Sequence, residues 1–121
     1  MHITESAFTL IELMITMTIV AILSAVAIPQ FNDYRARGFD VRALTDLRNV
    51  AIAEEAYFLD KEEYLSCTND SCGALPGIAK ISPGVAIEIS ASDTGFTGSA
   101  SHTQGSGKTF TWDSLQGGLL P

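Results

Sequence analysis

The run from Phe8 to Ile28, FTLIELMITMTIVAILSAVAI, carries one charged residue, Glu12. As a helix rising 1.5 Å per residue, about twenty-one residues reach about 31 Å, the thickness of a bilayer's hydrocarbon core. A stretch this apolar must be covered by lipid or by other apolar helices. It is longer than the hydrophobic stretch of a secretory signal, no basic segment precedes it, and Ile28-Pro29-Gln30 is not a small-x-small cleavage site. The reading is a helix retained in the mature chain.

Beyond it, Pro29 removes one backbone donor and is expected to kink the helix rather than end it. Val41, Leu44, Leu47, Ala51 and Phe58 then recur at spacings of three, four and seven, which predicts an amphipathic helix to about Tyr64, with Arg48 and Glu55 at the stripe's edge. Residues 65–84 hold both cysteines, with Gly73, Pro76, Gly77, Pro83 and Gly84, and are expected to be loop. Residues 85–90 alternate as a half-buried strand, and residues 96–101 and 109–113 supply two more, with Phe110 and Trp112 on one face. The predicted fold class is α+β: a long N-terminal helix, apolar in its first half and amphipathic in its second, packed on a small antiparallel β-sheet. The organisation reads as a leader at 1–7, a membrane or filament-core helix at 8–28, an amphipathic helix at 29–64 and a β-sheet head at 65–121.

Charge narrows the function. With 14 Asp+Glu against 7 Lys+Arg the net charge is -7, a poor match to nucleic-acid phosphates. A head of about seventy residues has a marginal core and needs a staple or a neighbouring subunit. Cys67 and Cys72 are read as that staple, a disulfide closing a short ring in an oxidising compartment. The alternatives are a zinc site, which needs two further ligands while His2 and His102 are distant in sequence, and a redox pair, whose usual spacing is CxxC. His102 lies in a Ser/Gly-rich turn and reads as a surface residue. Asn69-Asp70-Ser71 is a minimal glycosylation sequon, and Gly105-Ser106-Gly107-Lys108 lacks the spacing of a phosphate-binding loop. No catalytic residue, metal or cofactor is expected.

Phe8-Thr9-Leu10-Ile11-Glu12-Leu13-Met14 resembles the start of mature type IV pilins and pseudopilins, and the apolar run, Pro29 and the amphipathic helix fit the same family over roughly residues 7–60. Ala7 stands where that family carries Gly, and the leader lacks its usual basic residue. The resemblance implies a prepilin peptidase cutting between Ala7 and Phe8 and N-methylation of Phe8. It also implies extraction from the inner membrane by the pilus assembly machinery into a homo-oligomeric helical filament at the cell surface, the kind that serves adhesion and motility. Within an apolar helix Glu12 costs roughly 2.5–3.5 kcal/mol without a partner. The resemblance supplies one, the amino group of Phe8 on a neighbouring subunit, setting axial register. The alternatives are a minor pilin or a type II secretion pseudopilin and, from another class, a membrane-anchored module whose head binds a ligand or DNA.

Overall fold

The computed structural model describes residues 5–121; residues 1–4 of the expected leader lie outside it. The chain divides in sequence at Tyr34 and Arg35 into two compact units. A single helix, α1 (Leu10–Lys61), runs through that boundary and through Pro29.

Among the described residues of the first unit, 10–34 are helical and none is buried. Its apolar side chains stand open, from Leu10 at 77% exposure to Ile28 at 61%. The most apolar 18-residue window, of mean hydropathy 2.3, has none of its residues buried.

The second unit has a core. Here α1 buries Asp40, Ala43, Leu47, Val50, Ala51, Ala53 and Glu54. The spacing is helical, but the face is rotated by about one residue from the predicted stripe. Val41 is 59% exposed, and Arg48 and Glu55 are also exposed, while the acids Asp40 and Glu54 point inward. The helix ends where Glu62 takes a left-handed conformation, φ 57°, and its amide donates to the Phe58 carbonyl at 2.8 Å. This is the αL termination more often built on glycine.

The head is a five-stranded antiparallel meander in sequence order: β1 (Cys67–Thr68), β2 (Val85–Ala91), β3 (Phe96–His102), β4 (Phe110–Asp113) and β5 (Gly118–Leu119). Between β1 and β2 lies a 3-10 helix, Asn69–Ala74. Thus the α+β class, the long helix and the three longer strands follow the sequence reading, whereas β1, the 3-10 helix and β5 were not anticipated. β2 alternates as read, with Val85, Ile87 and Ile89 inward. Opposite Ile89 stands Gly98. A Cβ there would lie 2.6 Å from Ile89 Cδ1 and 3.1 Å from Leu47 Cδ1, so the missing side chain gives the helix room to approach the sheet. Phe110 and Trp112 are half-buried against this core.

Candidate assembly site

The start of α1 is built by local hydrogen bonds. The Thr9 hydroxyl accepts from the Glu12 amide at 3.2 Å, and the Glu12 carboxylate accepts from the Thr9 amide at 3.3 Å. This is a reciprocal capping box, with Thr9 at the N-cap and Glu12 three residues on. It satisfies two amides that the first turn would otherwise leave without partners. The negative carboxylate also faces the positive end of the helix dipole. In the single chain, therefore, Glu12 is held at the helix start. Phe8, 90% exposed, lines a shallow groove together with Glu12, Leu13, Ile15 and Thr16. Thr16 donates its hydroxyl to the carbonyls of Glu12 and Leu13, and Thr18 to that of Met14. Both hydroxyls are thereby spent within the helix, and the surface offered outward stays apolar.

In the second unit, carboxylates of α1 fasten three separate loops. Asp40 accepts from the amide and the hydroxyl of Ser106, in the β3–β4 loop. A Cβ on the adjacent Gly105 would strike Asp40 Oδ1. Asp46 accepts from the Ser82 amide at 2.9 Å and its hydroxyl at 3.1 Å. Glu54 accepts through Oε2 from the Leu65 amide at 2.9 Å, just past the helix end. Its other oxygen, Oε1, is buried without a hydrogen-bond partner. Burial pushes the Glu54 carboxyl above its ordinary value, the Leu65 amide pulls against this, and the neighbouring Glu55 adds to it. The Tyr64 hydroxyl donates to Glu55 at 3.3 Å, and its pKa is raised by burial and then by the charge of Glu55.

His102 is a correction to the sequence reading. It is 6% exposed, its ring stacked on Phe39 at 4.5 Å. Nδ1 accepts from the Gln104 amide at 2.9 Å, which leaves Nε2 to donate to the Pro83 carbonyl at 3.1 Å. The strand period that makes Ala100 inward does the same for His102, because β3 extends one residue further than read. The sequon asparagine Asn69 is also engaged, its Oδ1 accepting from the Ile87 amide at 2.9 Å.

Of the residues singled out in the sequence, Ala7, Phe8 and Glu12 lie together at the exposed start of the first unit, and Pro29 lies within α1. Cys67 and Cys72 form a disulfide in the second unit, S–S 2.00 Å, with both residues buried. It ties β1 to the following 3-10 helix. Thr9 was missed as a cap, although Thr9-Leu10-Ile11-Glu12 spells the capping-box signature. Asp40, Asp46 and Glu54 were missed because a charge in an amphipathic pattern is assigned to solvent by default. Among the described residues, no group of His, Cys, Asp and Glu side chains is gathered so as to hold a metal ion.

Residues 4–28 match the family described as the prokaryotic N-terminal methylation motif. The chain is 44% identical over 62 residues to a fimbrial protein of Pseudomonas aeruginosa, a stretch covering 51% of this chain and 40% of that protein. It is 41% identical over 63 residues to the type IV major pilin protein PilA of Myxococcus xanthus, covering 52% of this chain and 29% of the relative. The type IV major fimbrial protein FimA of Dichelobacter nodosus is likewise 41% identical over 63 residues, covering 52% of this chain and 40% of that one. The chain thus spans well under two thirds of the length of these relatives. The likeness is confined to the N-terminal half: the methylation motif and the long helix that follows it resemble those of type IV pilins and fimbrial proteins.

Proposed function

We propose that this chain is a structural subunit of a type IV pilus. It is inserted in the inner membrane as a precursor, cut between Ala7 and Phe8 by a prepilin peptidase, methylated on Phe8 and polymerised by the pilus machinery into a cell-surface filament. The observation that carries the proposal is the bare apolar surface of Leu10–Ile28, a helix whose large apolar side chains are all exposed. Such a surface needs lipid first and then other helices of the same kind. In the assembled state Glu12 exchanges the Thr9 amide for the amino group of Phe8 on a neighbour, a charged partner in place of a neutral one, and so sets register. The chain acts by assembly and carries no catalytic site. Its head is held by loop latches and a disulfide, as suits a domain that stands in an oxidising exterior.

The test is direct. Cells deleted for this chain are imaged beside the parent, and protein from sheared filaments is analysed by N-terminal mass. Filaments that vanish on deletion and a mature chain beginning at N-methylated Phe8 are expected. Unchanged filaments, or a mature chain retaining Met1, overturn the reading.

A further inference from the structure

The outward face of α1 in the second unit repeats itself with its charge reversed. Arg37, Val41 and Arg42 recur eighteen residues later as Glu55, Leu59 and Asp60. At about 3.6 residues per turn, eighteen residues are five whole turns, so each pair occupies the same angular position on the helix. All six side chains are exposed, Val41 by 59% and Leu59 by 84%. Apart from Arg42, whose guanidinium stands 5.3 Å from the centre of the Phe39 ring, and Glu55, which takes the Tyr64 hydroxyl, none of the six is engaged elsewhere in the head. The face away from the sheet should by default be uniformly polar. This one instead has a basic end holding Val41 and an acidic end holding Leu59, with Thr45, Arg48, Asn49 and Ile52 exposed between them.

We infer that this face docks on the same face of a second copy of the chain, parallel to it and displaced along the helix by about 27 Å, five turns at 1.5 Å per residue. The inference rests on the filament reading and adds a register to it. At that displacement Arg37 and Arg42 of one copy stand level with Glu55 and Asp60 of the next, and Val41 stands level with Leu59. An unshifted parallel copy sets like charge beside like charge at all four positions, and an antiparallel one loses the level match of the apolar pair. The charges oppose the unshifted parallel copy; an antiparallel copy pairs Arg37 with Asp60 and Arg42 with Glu55 but sets Val41 against Ala56, so the level Val41–Leu59 pair and the common direction of subunits in a filament favour the shifted parallel register. The occupant is a second copy because the complement of the basic end is found on the chain itself, at the same angles and at a whole number of turns.

Two measurements on assembled filaments test it. Val41→Cys and Leu59→Cys are introduced together; the native cysteines are already bonded to each other, so the new thiols report alone. Treatment of sheared filaments with diamide is expected to give a ladder of covalent multimers. The pair Val41→Cys with Ile52→Cys, equally exposed but eleven residues apart, is expected to remain monomeric. Separately, Arg37→Glu with Arg42→Glu is expected to lower filament yield at least tenfold at unchanged cellular subunit level. Adding Glu55→Arg and Asp60→Arg should restore yield to within about twofold of the parent. Normal filaments without a Val41→Cys/Leu59→Cys ladder, or an equal ladder from the control pair, overturn the register while leaving the filament reading intact. Should the cysteine variants fail to assemble, the charge exchange decides: a fourfold variant no better than the double one overturns the register. Absence of filaments from cells carrying the unsubstituted chain overturns both.

Discussion

Glu54 and Glu55 are neighbours in sequence with opposite fates. A rotation of 100° between successive helical residues puts one carboxylate wholly inside the head and leaves the other in water. Because the folded pKa of Glu54 lies above the ordinary 4.5, folding favours its protonated form. The stability it contributes is complete below the unfolded value and is lost as pH rises through the folded one. Glu54→Gln keeps an acceptor for the Leu65 amide and removes the charge. Its denaturation midpoint in detergent at pH 7 should equal or exceed the parent's, and its loss of stability between pH 4.5 and 7 should be smaller. An unchanged pH slope would refute the assignment. At Gly84, φ is +82° and a Cβ would come within 2.6 Å of the His102 ring. Gly84→Ala should therefore destabilise the head by about 1–3 kcal/mol, read as a lower unfolding midpoint. Neither site was legible in advance. A stripe drawn from apolar residues alone took Val41 for its anchor and so placed Asp40 and Glu54 outside. His102 sits at the end of a strand whose length the Ser/Gly-rich composition concealed.

Elements with a strong period were legible and those without one were not. α1, β2 and β3 span enough residues for repeats of 3.6 or 2 to show. β1 and β5 have two residues each, too few for any period, and exist because β2 and β4 offer them an edge. What fastens these weak parts is side-chain chemistry from the helix. Asp46→Ala deprives the Ser82 amide and hydroxyl of their acceptor, and about 1–3 kcal/mol of stability should be lost. A denaturant midpoint unchanged from the parent would count against that latch. The disulfide closes a small ring, with a sequence separation of 5, and loop-closure entropy alone gives it about 2 kcal/mol. Replacing both cysteines with serine should lower the head's stability by about that amount while leaving insertion of the apolar helix unaffected, a separation that membrane fractionation and circular dichroism together can follow.

Over the whole molecule, Glu12 lies in the first unit and the packed core in the second, so changes at Glu12 should alter assembly without altering the head. Glu12→Val removes the carboxylate from the capping box and from any neighbour's amino group. The expected phenotype is normal subunit abundance in the membrane, an intact Cys67–Cys72 bond and few surface filaments. Filaments of normal number and length in Glu12→Val cells would remove the register role. The exposed apolar half and the packed half of α1 were distinguishable in the sequence, because an apolar run and an amphipathic run differ in composition before any packing is known. The reversed-charge repeat was equally present in the sequence, but it has meaning only once the structure shows which side of the helix stays uncovered.

The sequence boundary between Tyr34 and Arg35 has a practical consequence. The core of the head draws on α1 from Asp40 onward, so a fragment lacking that half of the helix would lose one wall of its interior and precipitate. A fragment beginning at Arg35 retains the wall, the latches and the disulfide while shedding the surface that water rejects. It should be secreted as a soluble protein, suitable for crystallisation, immunisation or display, and its solubility in plain buffer is the simplest measure of how self-sufficient the head is.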